Sequence, residues 1–134
     1  MTSARLAINA YVQTGIETGV PEADGHRLVL MLFEGALAAI ANAKIKLTAG
    51  DISSRGQAIS KAISIVEQGL RGSLDTTQGG ELASRLDGLY HYVCVRLLDA
   101  NLRADLNALE EAAELLTQLQ DGWAQIGPAQ RQAA

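Results

Sequence analysis

Between Arg27 and Lys44 the only charged residue is Glu34, and Leu28, Val29, Leu30, Met31, Leu32 and Phe33 are apolar in succession. A helix facing a single core needs about three or four apolar residues per two turns. This stretch is apolar on every side for nearly two turns, so it predicts a helix whose outer side also has something to touch. The helix is expected to begin at Asp24, a good N-cap, and to run to about Thr48, where Ala49-Gly50-Asp51 end it. Beyond Asp51, the residues Ile52, Ile59, Ile63, Val66, Leu70 and Leu74 keep three- and four-residue spacing and predict a second helix. The segment "DTTQGG" is a loop. A third helix starts near Gly80 and continues through Leu82, Leu86, Leu89, Val93, Leu97 and Ala100. The fourth takes Asp105 as its N-cap, carries Leu109, Ala112, Leu116, Leu119, Trp123 and Ile126, and is expected to stop at Gly127-Pro128.

Long helices joined by short connections pack antiparallel. The expected fold is all-α: an up-down-up-down four-helix bundle over residues 23–127, followed by a loose tail at 128–134. Residues 1–22 carry scattered apolar side chains among Gly15, Gly19 and Pro21, with no cap or sustained period. They read as an N-terminal arm, either flexible or docked on the bundle.

Composition narrows the function without supplying one. Hydrophobic residues make up 48% and aromatics 4%, an Ala/Leu/Ile balance that favours helices. The net charge of −4 argues against nucleic-acid binding, which needs a basic face to displace counterions. The single cysteine, Cys94, has no partner for an internal disulfide, which fits a reducing cytoplasm. The N-terminal sequence lacks the continuous apolar run of a signal peptide. The Arg27–Lys44 stretch is read as short of the roughly 20 residues a membrane span needs, and Glu34 and Asn42 interrupt it, so membrane insertion is not expected.

Chemistry is hard to find. A di-iron site in a bundle wants inward Glu-x-x-His pairs, but Ala23 and Gly88 stand three residues before His26 and His91. His91 and Cys94 share a face of the third helix, yet a catalytic dyad or zinc site needs further ligands. They read as a partly exposed histidine beside a buried cysteine that acts as a small hydrophobe. Gly79-Gly80 reads as a loop and helix start, and Glu110, Glu111 and Glu114 as a solvated face near a helix N-terminus. No enzyme is expected, and neither cofactor nor metal. Apolar surplus remains: the first helix has too much, and the third adds Tyr90, Tyr92, Cys94, Val95 and Leu98 off its main stripe. Surplus apolar surface marks a partner site.

The ordered segments "INAYVQTGIETGV", "LVLMLFEGAL", "AISKAISIVEQGLRGSLD", "GGELASRLDGLYHYVCVRLLDANLRAD" and "LEEAAELLTQLQDGWAQI" resemble the flagellar secretion chaperone family, FliS, over roughly residues 8 to 126. The resemblance implies a cytoplasmic antiparallel bundle without enzymatic activity. Such a bundle binds the disordered C-terminal segment of flagellin, prevents its early polymerisation and presents it to the flagellar type III export gate. It also implies that Ile8 and Tyr11, in "INAY", contribute to client binding and that the arm covers the groove when it is empty. Leu28, Leu32, Leu86, Tyr90, Val93 and Leu97 are the expected groove residues, with inner and outer stripes not separable at this level. The alternative is a regulatory adaptor that holds another flagellar factor on the same surface. Without a client, that surface is also available for pairing two copies of the chain.

Overall fold

The computed structural model describes residues 22–74 and 79–133, with side chains described from 25 to 74 and from 79 to 126. The expected N-terminal arm, with Ile8 and Tyr11, lies outside the described residues. Among the described residues there are four α-helices: α1 Glu22–Thr48, α2 Ile52–Ser64, α3 Gly80–Arg103 and α4 Leu106–Ala133. A π-helical turn, Ile65–Leu70, and a 3₁₀ turn, Arg71–Ser73, prolong α2. Helix α1 packs on α2 and α4, and α3 also packs on α2 and α4. The helices therefore form a closed ring in chain order, with α1 diagonal to α3.

The turns follow from their local chemistry. Gly50 has φ +73°, a left-handed conformation that glycine adopts without a Cβ penalty, and it allows the tight reversal between α1 and α2. Asp51 then caps α2, its Oδ1 accepting from the Ser54 N–H at 3.1 Å. That bond is the main reason its carboxyl lies below the usual range. Between α3 and α4, Ala104 takes the left-handed position with φ 52°, and Asp105 caps α4 by accepting from the Ala108 N–H at 3.3 Å.

Several boundaries differ from the expectation. Helix α1 begins at Glu22, so Asp24 lies inside the first turn. Helix α4 continues to Ala133 beyond Gly127-Pro128. Proline's φ of about −65° is itself helical, and the ring costs the helix one donor and some crowding of the turn before it. Helix α2 is not a uniform α-helix to its end: the Arg71 N–H donates to the Val66 carbonyl, five residues back.

The core is mainly aliphatic, with Phe33 and Tyr90 as its buried aromatics. Phe33, Ile40, Ile59, Val66, Leu70, Val93, Leu97, Leu109 and Leu116 are its largest fully buried side chains. Small residues, among them Ala36, Ala43, Ala62, Ala100 and Ala112, let the helices approach closely. Helix α1 from Gly25 to Thr48 is long and apolar enough to cross a membrane by length and composition, where the reading from the sequence had put it short. In the bundle that composition serves a helix packed on both sides: Phe33, Ala36, Ala39, Ile40 and Ala43 are buried between α2 and α4.

Candidate functional site

The outer surfaces of the four helices are not alike. On α2, beyond its first residue Ile52, the outward positions are polar: Ser53, Gln57, Ser60 and Lys61. Helix α4 turns out Asn107, Glu110, Glu114, Gln118 and Asp121, and its exposed large apolar residues, Leu106 and Ile126, lie near its two ends. Helix α1 instead exposes Met31, Ala38, Ala41 and Ile45. Helix α3 exposes the most: Leu82, Leu89, Tyr92, Val95, Leu98 and Leu102, the last at 80%. Exposed apolar surface is thus largest on α3; α1 adds Met31 and Ile45, while the middle turns of α2 and α4 are polar on their outer sides.

The side of α1 near its C-terminus borders a recess of about 460 Å³ lined by Lys44, Ile45, Thr48, Ala49, Leu106 and Glu110. Its walls are mostly apolar, and Lys44 Nζ and Glu110 Oε2 approach within 4.0 Å at its rim. Both groups are well exposed, so this pair contributes little to stability.

The expected groove residues divide in two. Leu28, Leu32 and Leu86 are half-buried, with Leu32 and Leu86 packed against the core and part of each still accessible. Val93 and Leu97 are 0% exposed, and Tyr90 is buried with its ring tilted on Phe33 at a 6.3 Å centroid separation. These three belong to the buried core of the described structure. Burial pushes the Tyr90 hydroxyl up to about 12. The reason is helical phase: with 100° per residue, Tyr90, Val93, Cys94 and Leu97 point inward together, while Tyr92, Val95 and Leu98 face away. Of the five residues expected off the main stripe, Tyr92, Val95 and Leu98 face outward while Tyr90 and Cys94 are buried, and Leu82 and Leu89, expected on the stripe, are exposed.

Polar side chains tie the seams together. Glu111 of α4, expected to be simply solvated, accepts from the Tyr92 hydroxyl at 2.9 Å and from Arg96 Nε at 2.6 Å. Arg96 also donates to Asp99 at 3.1 Å. Arg96, with Tyr92, holds the Glu111 carboxyl below its ordinary value, and the bond to Glu111 raises the Tyr92 hydroxyl. Arg71 reaches Asp87 of α3 through Nε at 2.5 Å and Nη2 at 3.2 Å, and also holds Glu67. Arg55 donates to the Asn101 side chain and carbonyl at 3.2 and 3.0 Å. None of these pairings was read from the sequence. The only available signal was the four-residue step from Tyr92 to Arg96, which places both on the flank facing α4.

Cys94 is buried, and desolvation pushes its thiol up to about 12, while His91 three residues away is exposed. Among the described residues, no group of three His, Cys, Asp or Glu side chains is placed to hold a metal ion.

Fold and surface together define an antiparallel four-helix bundle whose distinctive feature is apolar contact area on two outer faces rather than a polar cleft. The sequence model of the flagellar protein FliS matches residues 7–130, so the chain belongs to the FliS family of flagellar secretion chaperones. It is 46% identical to the flagellar secretion chaperone FliS of Salmonella typhimurium, over 90% of each chain. It is 42% identical to FliS of Escherichia coli, over 90% of this chain and 88% of that one. The flagellar secretion chaperone FliSB of Pseudomonas aeruginosa is 41% identical, over 90% of this chain and 94% of the relative.

Proposed function

We propose that this chain is a cytoplasmic chaperone that binds the disordered C-terminal segment of flagellin on the outer faces of α1 and α3. Bound there, the segment cannot pair with other flagellins, and the complex is delivered to the flagellar type III export gate. The observation that carries the reading is the run of exposed apolar side chains along α3, joined by Met31 and Ile45 on α1, against polar middle turns on α2 and α4. Single exposed apolar residues are ordinary, but six large ones on one helix, Leu98 among them at 52%, suit coverage by another chain. An amphipathic client helix would read such faces through anchors three and four residues apart. Ordering a disordered segment costs on the order of 2–5 kcal/mol of the gross interaction energy, which apolar burial over two faces offsets. Extreme affinity would hinder unloading.

The N-terminal arm has a part in this proposal: Ile8 and Tyr11 would lie over the apolar surface while no client is present. Replacing both by alanine should change flagellin affinity and the solubility of the free chain; a variant unchanged in both measurements removes the arm from the mechanism. The proposal as a whole is tested by co-purification. The chain should retain full-length flagellin and lose flagellin that lacks its C-terminal segment. Equal retention of both proteins would overturn it.

A further inference from the structure

Tyr92 sits at the centre of the exposed surface of α3, and it is not loose. Leu89, Tyr92, Val95 and Leu98 follow one another at three-residue steps, all partly exposed. Each such step turns about 60° backward around a helix while rising, so an i, i+3 row runs at about 45° to the axis. The row therefore crosses the outer face of α3 obliquely, from the α4 side at Leu89 towards the α2 side at Leu98. In the middle of it the Tyr92 hydroxyl donates to Glu111 Oε2 at 2.9 Å, and Arg96 donates to the other Glu111 oxygen at 2.6 Å. Arg96 is itself steadied by Asp99. Three side chains from two helices, Glu111, Arg96 and Asp99, thus fix the direction of one exposed aromatic ring.

From this we infer that Tyr92 is a pre-oriented aromatic anchor for the apolar face of the client helix, with Glu111 and Arg96 as positioning residues that act through it. The inference deepens the proposed function and rests on it. Aromatic anchors supply large contact area, and holding one in place before binding removes the entropy cost of fixing it afterwards. The exposed ring has no role in the core, which Tyr90 fills from the opposite side of α3. Such an arrangement also explains why a bundle keeps three charged residues beside an apolar ridge.

The test uses the full chain and a fluorescently labelled peptide of the flagellin C-terminal segment. Tyr92→Phe keeps the ring and removes its tether. It should weaken binding roughly three- to tenfold, with an unchanged melting temperature. Glu111→Ala should reproduce the loss, and the double variant should be no weaker than either single one. Glu111→Gln, whose amide oxygen still accepts from the hydroxyl, should restore most of the affinity, a rescue that a general structural role for the charge would not produce. Wild-type affinity in Tyr92→Phe, or additive losses in the double variant, would overturn the inference. Failure of the wild-type chain itself to bind the peptide would instead refute the proposed function.

Discussion

His26 and Trp123 bind each other twice. The Trp123 indole N–H donates to the His26 carbonyl at 2.9 Å, and His26 Nε2 donates to the Trp123 carbonyl at 2.8 Å. Their rings stack at 4.9 Å with 13° between planes. The pair joins the first turns of α1 to the later turns of α4, residues far apart in sequence, and closes the ring of helices at that end. The buried His26 is thus part of a structural clasp.

Removing either side of this clasp should loosen that end of the bundle. His26→Ala or Trp123→Phe should each destabilise the fold by about 1–3 kcal/mol, from lost hydrogen bonds and ring packing. Urea denaturation followed by circular dichroism measures it. Because Trp123 is the chain's single tryptophan, fluorescence reports this end alone. In the wild-type chain its transition should coincide with the loss of helix. An earlier fluorescence transition would mean that the end of α4 unfolds by itself.

Neighbouring residues on α3 should behave in opposite ways. Leu97 is fully buried, and truncating it to alanine should cost about 2–5 kcal/mol of stability. Leu98 is 52% exposed, and Leu98→Ala should leave stability within about 0.5 kcal/mol while weakening flagellin binding. Thermal melts and peptide titrations of the two variants separate core from contact surface. Equal loss of stability in both would erase the distinction.

That contrast also marks how far the sequence could be read. Four helices followed from three- and four-residue apolar spacing, because that spacing belongs to each helix alone. Which apolar residues face inward depends on where the neighbouring helices lie. On α3, where almost every direction holds an apolar side chain, periodicity alone does not separate Val93 and Leu97 from Val95 and Leu98. Cross-helix pairings such as Tyr92 with Glu111, or His26 with Trp123, were illegible for the same reason. The helix ends at Glu22 and Ala133 depend on residues whose cap or breaker signals are weak or locally tolerated.

Arg71 should give the bundle a dependence on acid. It holds the Asp87 carboxyl below its ordinary value, chiefly through their hydrogen bonds. A depressed folded-state value means that the stabilisation is fully present above the unfolded value near pH 4 and is lost as pH falls through the folded one. The two side chains are about a third exposed, so solvent screening keeps the pair to about 1 kcal/mol. Arg71→Ala should therefore be less stable than the wild-type chain at pH 7, and the gap should narrow steadily below about pH 4. Denaturation curves at pH 7, 4 and 3 check the sign; a gap that widens in acid contradicts it.

Cys94 should be chemically silent in the folded chain. Its thiol is buried and pushed up to about 12, so almost no thiolate exists at pH 8, and reagents have little access to it. Labelling with a maleimide or an aromatic disulfide should proceed at the rate of unfolding, and should become fast in denaturant. Rapid labelling of the native chain would show that α3 moves away from its neighbours far more readily than the packing suggests.

If the proposed client covers apolar residues on both α1 and α3, their diagonal placement makes a stronger demand on it. Helices α1 and α3 do not adjoin, and the outer faces of α2 and α4 between them are polar. One segment that covers both must therefore cross one of those polar faces, joining two contact stretches by a linker. Binding of the second stretch is then intramolecular, and linkage of this kind raises affinity by about 10²–10⁴-fold over either stretch alone. Placing a charge on one face, by Ile45→Glu on α1 or Leu98→Glu on α3, should reduce the affinity for the full C-terminal segment by about a hundredfold without abolishing it. A client peptide cut to the stretch that uses α3 should bind weakly to the wild-type chain and equally weakly to Ile45→Glu, because α1 no longer matters to it. Calorimetric titrations of both peptides against the three proteins contain the answer. If the short peptide keeps the full affinity, a single face suffices, and the exposed residues of α1 must serve something other than this client.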